Sequence, residues 1–196
     1  MDDDCSYGNY GNRLTKGNES YTWERGNLLS SITKDGRTIS FTYDYLGRRY
    51  QKLINGNVVS TYYYLGNRLI GENRSNDLKL RFIYDDTGIV GVYAFDGHGR
   101  DYYFHYVKNP FGQIVAITDE EGAIEAQYIY DAWGNHKVLD SLGHETNEGI
   151  GIENPIRYKD YYYDDETKLY YLLSRYYDPN IGQFISPRSE ERRVGK

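Results

Sequence analysis

One short phrase recurs along the chain and constrains its fold more than any other feature. Its clearest copy is FTYDYLGR, over Phe41–Arg48. An aromatic, a β-branched residue and a second aromatic are typical of a strand end, with side chains alternating between faces. Asp44 then opens a turn by capping backbone N–H groups two residues on. Gly47 closes that turn, because a residue without a Cβ adopts a positive φ at little cost. The phrase therefore predicts a strand followed by a tight turn.

The phrase returns along the chain in varied form, each copy built on an aromatic anchor. Successive anchors lie 16 to 24 residues apart. A repeat period of about 20 residues predicts stacked strand–turn–strand units rather than a closed globule. The anchors are Tyr7, Trp23, Tyr43, Tyr62, Tyr84, Tyr106 and Tyr130. The turn glycines that follow them are Gly11, Gly26, Gly47, Gly66, Gly88, Gly112 and Gly134.

Composition and turn signals favour an all-β fold. The chain has 24 tyrosines, and each can bury a ring while its hydroxyl stays hydrogen-bonded, so a thin β-layer needs no thick aliphatic core. Asp35-Gly36 and Asn55-Gly56 predict type I′ hairpin tips. The stretch 113–128 reads as the clearest hairpin, and 71–77 as a polar connector. Helical periodicity with caps is hard to find anywhere in the sequence.

Two stretches carry a family resemblance. The repeats over 7–135 resemble the tyrosine–aspartate (YD) repeat of the Rhs family, and 154–187 resembles its Rhs-repeat-associated core. Asp160 stands where the family has glycine, in a turn that prefers positive φ, and Gln183 replaces the usual arginine. The resemblance implies a ribbon of YD hairpins that forms a section of a hollow spiral β-shell. The hallmark residues of the core are Arg175, Tyr176, Tyr177, Asp178, Pro179, Gly182 and Phe184.

These features divide the chain into four parts. A YD-repeat array occupies 1–140, a linker loop 141–153 and the core motif 154–187. The tail, 188–196, reads RSEERRVGK, with four basic and two acidic residues and no tyrosine. It equals a translation of the sequencing-adapter oligonucleotide AGA TCG GAA GAG CGT CGT GTA GGG AAA, so we interpret it as a non-native assembly artefact. We expect the remainder to be an internal fragment of a longer protein.

The resemblance implies a bacterial shell, secreted or displayed on the cell surface, that encapsulates and delivers a C-terminal toxin. Its partners would be the missing remainder of the chain and that toxin cargo. One alternative is a cell-wall glycan-binding protein, since tyrosine faces stack on sugar rings. Another is a self-cleaving core, because Arg175 and Asp178 match the family's aspartyl-protease-like motif. A proton-sharing dyad needs two carboxylates, and the second Asp-Pro is missing, so we predict no enzyme and no catalytic residue.

Several function classes are disfavoured by composition. A net charge of −6 argues against a nucleic-acid binder, and the sequence has no apolar run of the roughly 20 residues that a membrane-spanning helix needs. The acidic start, 1–4, is unlike a signal peptide. Motifs for phosphate binding are absent, so no cofactor is expected. No metal is expected either, because the histidines lack ligand spacing. They are His98, His105, His136 and His144.

Overall fold

The computed structural model describes residues 4–188, and most of the predicted tail lies outside them. Fourteen antiparallel strands form one open sheet, each strand pairing with the next along the chain. The predicted all-β fold is confirmed. The strands of this large sheet are β1 Cys5–Tyr7, β2 Arg13–Lys16, β3 Glu19–Glu24, β4 Leu28–Lys34, β5 Arg37–Tyr43, β6 Arg49–Ile54, β7 Asn57–Leu65, β8 Arg68–Arg74, β9 Lys79–Asp85, β10 Gly88–Phe95, β11 Asp101–Lys108, β12 Ile114–Thr118, β13 Ile124–Tyr130 and β14 His136–Leu139.

The core motif forms a second, smaller sheet of four antiparallel strands. A helical turn and a 3-10 turn connect it to the large sheet. An ideal Cβ at Gly151 would lie 2.7 Å from the side chains of Ala126 and Val138, so the glycine lets the helical turn rest directly on β13 and β14. The elements of this region are α1 Ile150–Glu153, the 3-10 turn Tyr158–Asp160, β15 Tyr162–Asp164, β16 Leu169–Tyr171, β17 Tyr176–Asp178 and β18 Gln183–Phe184.

The turns have the geometry that their sequences predict. The Asp44 carboxylate accepts the N–H groups of Leu46 and Arg48, each at 2.9 Å. All seven turn glycines have positive φ, from 58° at Gly66 to 131° at Gly88. At the Asp35-Gly36 tip both residues have positive φ, as a type I′ turn requires.

The prediction of a polar connector at 71–77 is wrong, because β8 extends through Arg74. Gly71 pairs with Tyr63 on one side and Arg81 on the other. Glu72 is fully buried, and its carboxylate accepts hydrogen bonds from neighbouring side chains. A polar sequence can form a buried strand here because the Glu72 carboxylate has hydrogen-bond donors beside it in the core.

Both sheets contribute to one hydrophobic core. Leu29, Leu80 and Ile117 of the large sheet and Ile156 and Ile185 of the core region belong to the same buried cluster. We call the face of the large sheet that packs on the small sheet the inner face, and the opposite one the outer face. The repeat array and the core motif therefore fold as one packed body.

Candidate functional site

The odd-numbered strands from β3 to β13 place aromatic rings on the inner face at two positions. The first position holds a deep ring, at most 9% exposed, in every one of these strands. The second lies two residues further and holds a half-buried rim ring in every one of these strands except β11, where it holds a lysine. The deep rings are Tyr21, Phe41, Tyr62, Phe82, Tyr106 and Tyr128. The rim position holds Trp23, Tyr43, Tyr64, Tyr84, Lys108 and Tyr130.

The seven anchors predicted from the sequence therefore do not occupy one equivalent position. Tyr62 and Tyr106 are deep rings, whereas Trp23, Tyr43, Tyr84 and Tyr130 are rim rings. Tyr7, in the first strand, is 47% exposed and belongs to neither set. Residues two apart in a strand point to the same face, so the spacing in the sequence alone does not separate the two positions.

The rim rings make one repeated hydrogen bond. The polar tips of four of them donate to a backbone carbonyl of the preceding strand. Trp23 donates to Arg13 at 2.7 Å, and Tyr43 donates to Leu29 at 2.8 Å. Tyr84 and Tyr130 make the same bond to the carbonyls of Leu69 in β8 and Ile114 in β12. The backbone pairing of β4 with β5 ends at Ser31 and Ser40. The hydrogen bond from Tyr43 to Leu29 therefore links the two strands beyond their last backbone pair.

A charged seam joins the two sheets. Strands β2 and β6 each carry an Arg-x-x-Lys sequence, with the basic side chains turned to the inner face. Arg13 and Lys16 donate to Asp178 at 2.8 and 3.0 Å. Burial alone would lower the pKa of Arg13, but the adjacent Asp178 carboxylate raises it above its usual range.

The second half of the seam lies at β6. Arg49 contacts the Asp164 carboxylate, and both side chains are fully buried. Lys52 bonds Asp164 at 3.2 Å and Glu166 at 2.7 Å. Burial lowers the pKa of Lys52, but Tyr62 and these carboxylates raise it to a net value above its usual range. The charged seam is the set Arg13, Lys16, Arg49, Lys52, Asp164, Glu166 and Asp178.

Aromatic rings enclose the Arg49 guanidinium. Its central carbon lies 4.4 Å from the ring centroids of both Tyr62 and Tyr171, and 4.6 Å from that of Tyr162. The face of Phe41 lies at 5.2 Å. Two rings come from each sheet, so this cation contacts the repeats and the core motif at once. A desolvated cation–π contact contributes about 2 kcal/mol, and loss of one partner of a buried ion pair costs about 3–5 kcal/mol.

Arg175 and Asp178, the two residues that match the protease-like motif of the family, do not contact each other through their side chains. The carboxylate of Asp178 accepts bonds from Arg13, Lys16 and the N–H of Asn180. The Arg175 guanidinium instead lies 3.8 Å from the centroid of the Phe184 ring. Within residues 4–188, every hydrogen-bond partner of Asp178 is a nitrogen donor, so this carboxylate has no second carboxyl group with which to share a proton.

The other core-motif residues stabilise the packing on the large sheet. Tyr176 bonds the rim ring Tyr43, hydroxyl to hydroxyl, at 3.1 Å, and Tyr177 donates to the carbonyl of Trp133 at 2.9 Å. Gly182 has a φ of 67°, and an ideal Cβ there would lie 2.7 Å from the Trp133 ring. Pro179 accepts a bond from Asn135 through its carbonyl. The motif therefore acts through contacts to the repeats.

The two departures from the repeat and core patterns meet in space. Lys108 occupies the rim position that holds an aromatic ring in the other repeats. Its Nζ donates to the Asp160 carboxylate at 2.7 Å. Asp160 has a φ of 61°, so the predicted turn with positive φ is present without its glycine. Burial raises the pKa of Asp160, and Lys108 opposes that rise.

His136 is the one histidine placed between the sheets. Its Nε2 faces the Arg157 guanidinium, and its Nδ1 lies 3.2 Å from the Tyr170 hydroxyl. Burial, followed by the charge of Arg157, lowers the pKa of His136 to about 3. Arg157 also donates to the carbonyls of Gly151 and Ile152, which ties α1 to this cluster.

Among residues 4–188, no three His, Cys, Asp or Glu side chains converge to hold a metal ion. In the same range, no helix is long and apolar enough to span a membrane.

Sequence reasoning missed Arg13, Arg49 and Asp164, which carry the seam. One signal was available in the sequence, the Arg-x-x-Lys motif at the start of β2 and β6. A basic side chain that points into the core needs an acidic partner there. The partner acids lie 165 and 115 residues further along the chain. Their pairing is therefore a property of the fold.

The chain thus has the fold class of an open antiparallel β-ribbon, with aromatic ladders and a small motif packed on its inner face. The Teneurin YD-shell family model matches residues 2–194. The chain belongs to this family, and the predicted YD-repeat membership is confirmed.

Curated relatives and solved structures agree with this assignment. The chain is 38% identical over 191 residues to the tRNA3(Ser)-specific nuclease WapA of Bacillus spizizenii, covering 94% of this chain and 8% of the relative. It is 35% identical over 86 residues to the double-stranded DNA deaminase toxin A of Burkholderia cenocepacia, covering 42% of this chain and 6% of that protein. A crystal structure of TcdB2-TccC3 without its hypervariable C-terminal region has the same fold, with a TM-score of 0.67 at 21% identity. The match covers 92% of this chain and 9% of that one. The chain thus spans less than a tenth of these proteins.

Proposed function

We propose that this chain is a wall segment of a larger hollow shell that encloses a toxic C-terminal domain and delivers it to a competing cell. The observation that carries the proposal is the charged seam. It fixes the core motif on the inner face of the repeats through the fully buried Arg49–Asp164 pair. An ion pair held in this way resists separation of the two sheets, because each charge left alone would be buried without a partner.

The relatives support a proposal for the class of cargo. Two of them are named for activity on nucleic acids, a tRNA nuclease and a DNA deaminase toxin. We propose that the shell to which this chain belongs carries a cargo of that kind. A shell that excludes the cargo from the producing cell needs no chemistry of its own. The parent protein would be secreted or displayed on the cell surface.

A protease-protection experiment on the longer parent protein tests this function. In the wild type, the C-terminal domain should resist limited proteolysis and become accessible only on denaturation. Arg49→Ala should open the wall and expose the cargo, whereas Arg37→Ala, at an exposed hairpin tip, should leave it protected. A cargo that is digested as fast in the intact wild type as in isolation would contradict the proposal.

We further propose that this chain does not cleave itself. The support is the pairing of Asp178 with Arg13 and Lys16 in place of a second carboxyl group. The purified chain should keep its full mass during long incubation. Autolysis that disappears in Asp178→Asn would overturn this expectation.

Glycan binding is the second candidate function, and one observation on the outer face favours it. Tyr93 and Tyr103 lie side by side there with ring centroids 4.9 Å apart, and Tyr93 is 37% exposed. Exposed tyrosine faces can stack on a pyranose ring. A glycan array should then show saturable binding that Tyr93→Ser removes. If no glycan on the array binds, glycan binding is ruled out and the shell function remains as the single candidate.

A further inference from the structure

A groove of about 640 Å³ lies at the end of the inner face opposite the rim rings. Its floor includes Ala94 and Phe104, which are inner-face residues of β10 and β11 respectively, and Tyr102 of β11, which is 43% exposed. Ile150 of α1 forms part of the wall. The groove therefore offers an apolar and aromatic floor on the same face that carries the core motif.

The groove walls have charge of one sign. Seven carboxylates line the groove, and its described lining contains no Lys, Arg or His. Asp96 and Glu153 are paired with Arg100 and Arg74. The other five form no ion pair within residues 4–188, and they are Asp101, Asp119, Glu120, Glu121 and Glu125. A concave surface with charge of one sign concentrates ligands of opposite charge.

The chemistry of the groove selects among possible occupants. The carboxylates do not converge as a metal site within the described residues. A nucleic acid would be repelled, because its phosphates have the same sign as the walls. An apolar ligand without charge would leave the carboxylates uncompensated. A peptide segment with both basic and apolar side chains fits the groove. Its basic groups would pair with the carboxylates of the walls, and its aromatic or aliphatic groups would pack on the floor. Cations also interact favourably with the face of Tyr102.

We infer that this acidic groove binds a cationic, apolar-containing segment of the enclosed cargo. The inference rests on the proposed function, and it takes the inner face, which carries the core motif, as the side of the wall that faces the enclosed cargo. Charge complementarity supports it further, because proteins that act on nucleic acids contact phosphates through clustered Lys and Arg. The shell wall would thereby mask the basic surface of the cargo until release.

Peptide binding to the 196-residue chain tests the inference directly. The probe is a synthetic peptide of alternating lysine and tryptophan, measured by titration calorimetry at low ionic strength. We expect saturable one-to-one binding. The affinity should fall as the salt concentration rises, because salt screens the attraction between lysine and the carboxylates of the groove. Two peptides serve as controls. Replacing lysine by glutamate should abolish binding, and replacing tryptophan by serine should weaken it by about tenfold, which corresponds to loss of the aromatic contacts.

Matched variants locate the binding site. Glu125→Lys and Tyr102→Ser should each weaken binding by about tenfold. Asp86→Lys makes the same charge change at an exposed turn on the opposite edge, and Tyr63→Ser removes a ring of similar exposure from the outer face, away from the groove. Both should bind as the wild type does. Equal losses in the control variants, or no saturable binding to the wild type, would overturn the inference.

The outcome is separable from that of the proposed function. If the peptide fails to bind while the cargo in the parent protein remains protected from protease, the groove inference is wrong and the shell function stands. If the cargo is not protected, the shell function is wrong whatever the groove binds.

Discussion

Protonation of His136 provides a quantitative test of how the two sheets pack. The ring lies between Arg157 and Tyr170, and it meets the Tyr163 ring edge-on with centroids 4.5 Å apart. Burial and then the Arg157 charge lower its pKa from 6.5 to about 3. The neutral ring is thus part of the folded structure, and a proton on it opposes folding.

The sign and size of the effect follow from linkage. Because the pKa is lower in the folded chain, the unfolded chain takes up the proton first. Stability is therefore complete above pH 6.5 and falls as the pH drops from 6.5 toward 3. Well inside this window, each drop of one pH unit lowers the free energy of unfolding by about 1.4 kcal/mol. At about pH 5 the loss from this one residue amounts to about 2 kcal/mol.

Urea unfolding of the whole chain between about pH 7.5 and 5 measures this loss, because ordinary carboxylates titrate mostly below that range. The wild type and the exposed-site control His98→Gln should both lose about 2 kcal/mol. His136→Gln should be less stable at neutral pH but nearly independent of pH across the window. A slope that survives in His136→Gln, or a ring in the folded wild type that titrates by NMR near its ordinary pKa, would refute the reasoning.

Three further changes test the packing by thermal or urea unfolding. Lys108→Tyr alone should destabilise by about 1–3 kcal/mol because it leaves Asp160 without its partner. Adding Asp160→Gly should recover most of this loss, and purely additive effects would contradict the pairing. Gly134→Ala should cost about 1–3 kcal/mol more than Gly36→Ala, since both have positive φ but only at Gly134 would a Cβ lie 2.8 Å from the Tyr158 ring. Equal costs would argue against that contact. Tyr43→Phe should destabilise by about 1–3 kcal/mol, because it removes the hydrogen bond to the carbonyl of Leu29. An unchanged stability would show that this bond does not stabilise the fold.

The local structure could be predicted from the sequence because its causes are local. The Asp-x-x-Gly turns form since a carboxylate and a positive-φ glycine act within a few residues, as at Asp44 and Gly47. Alternation of aromatic and polar residues sets strand faces in the same way. Asp160 illustrates the limit of this reasoning. Its turn was predicted, but its ion pair with Lys108 was not, because the two residues lie 52 apart in sequence.

The sequence by itself therefore determined the repeating strand–turn units, the all-β class and the family. Tertiary structure decided which of two inward positions each anchor occupies, because residues two apart share a face. It also decided the partners of the buried charges. Arg49 meets Asp164 only when the core motif folds back over β6, 115 residues earlier in the chain. Burial makes that pairing necessary, and only the path of the chain makes it possible.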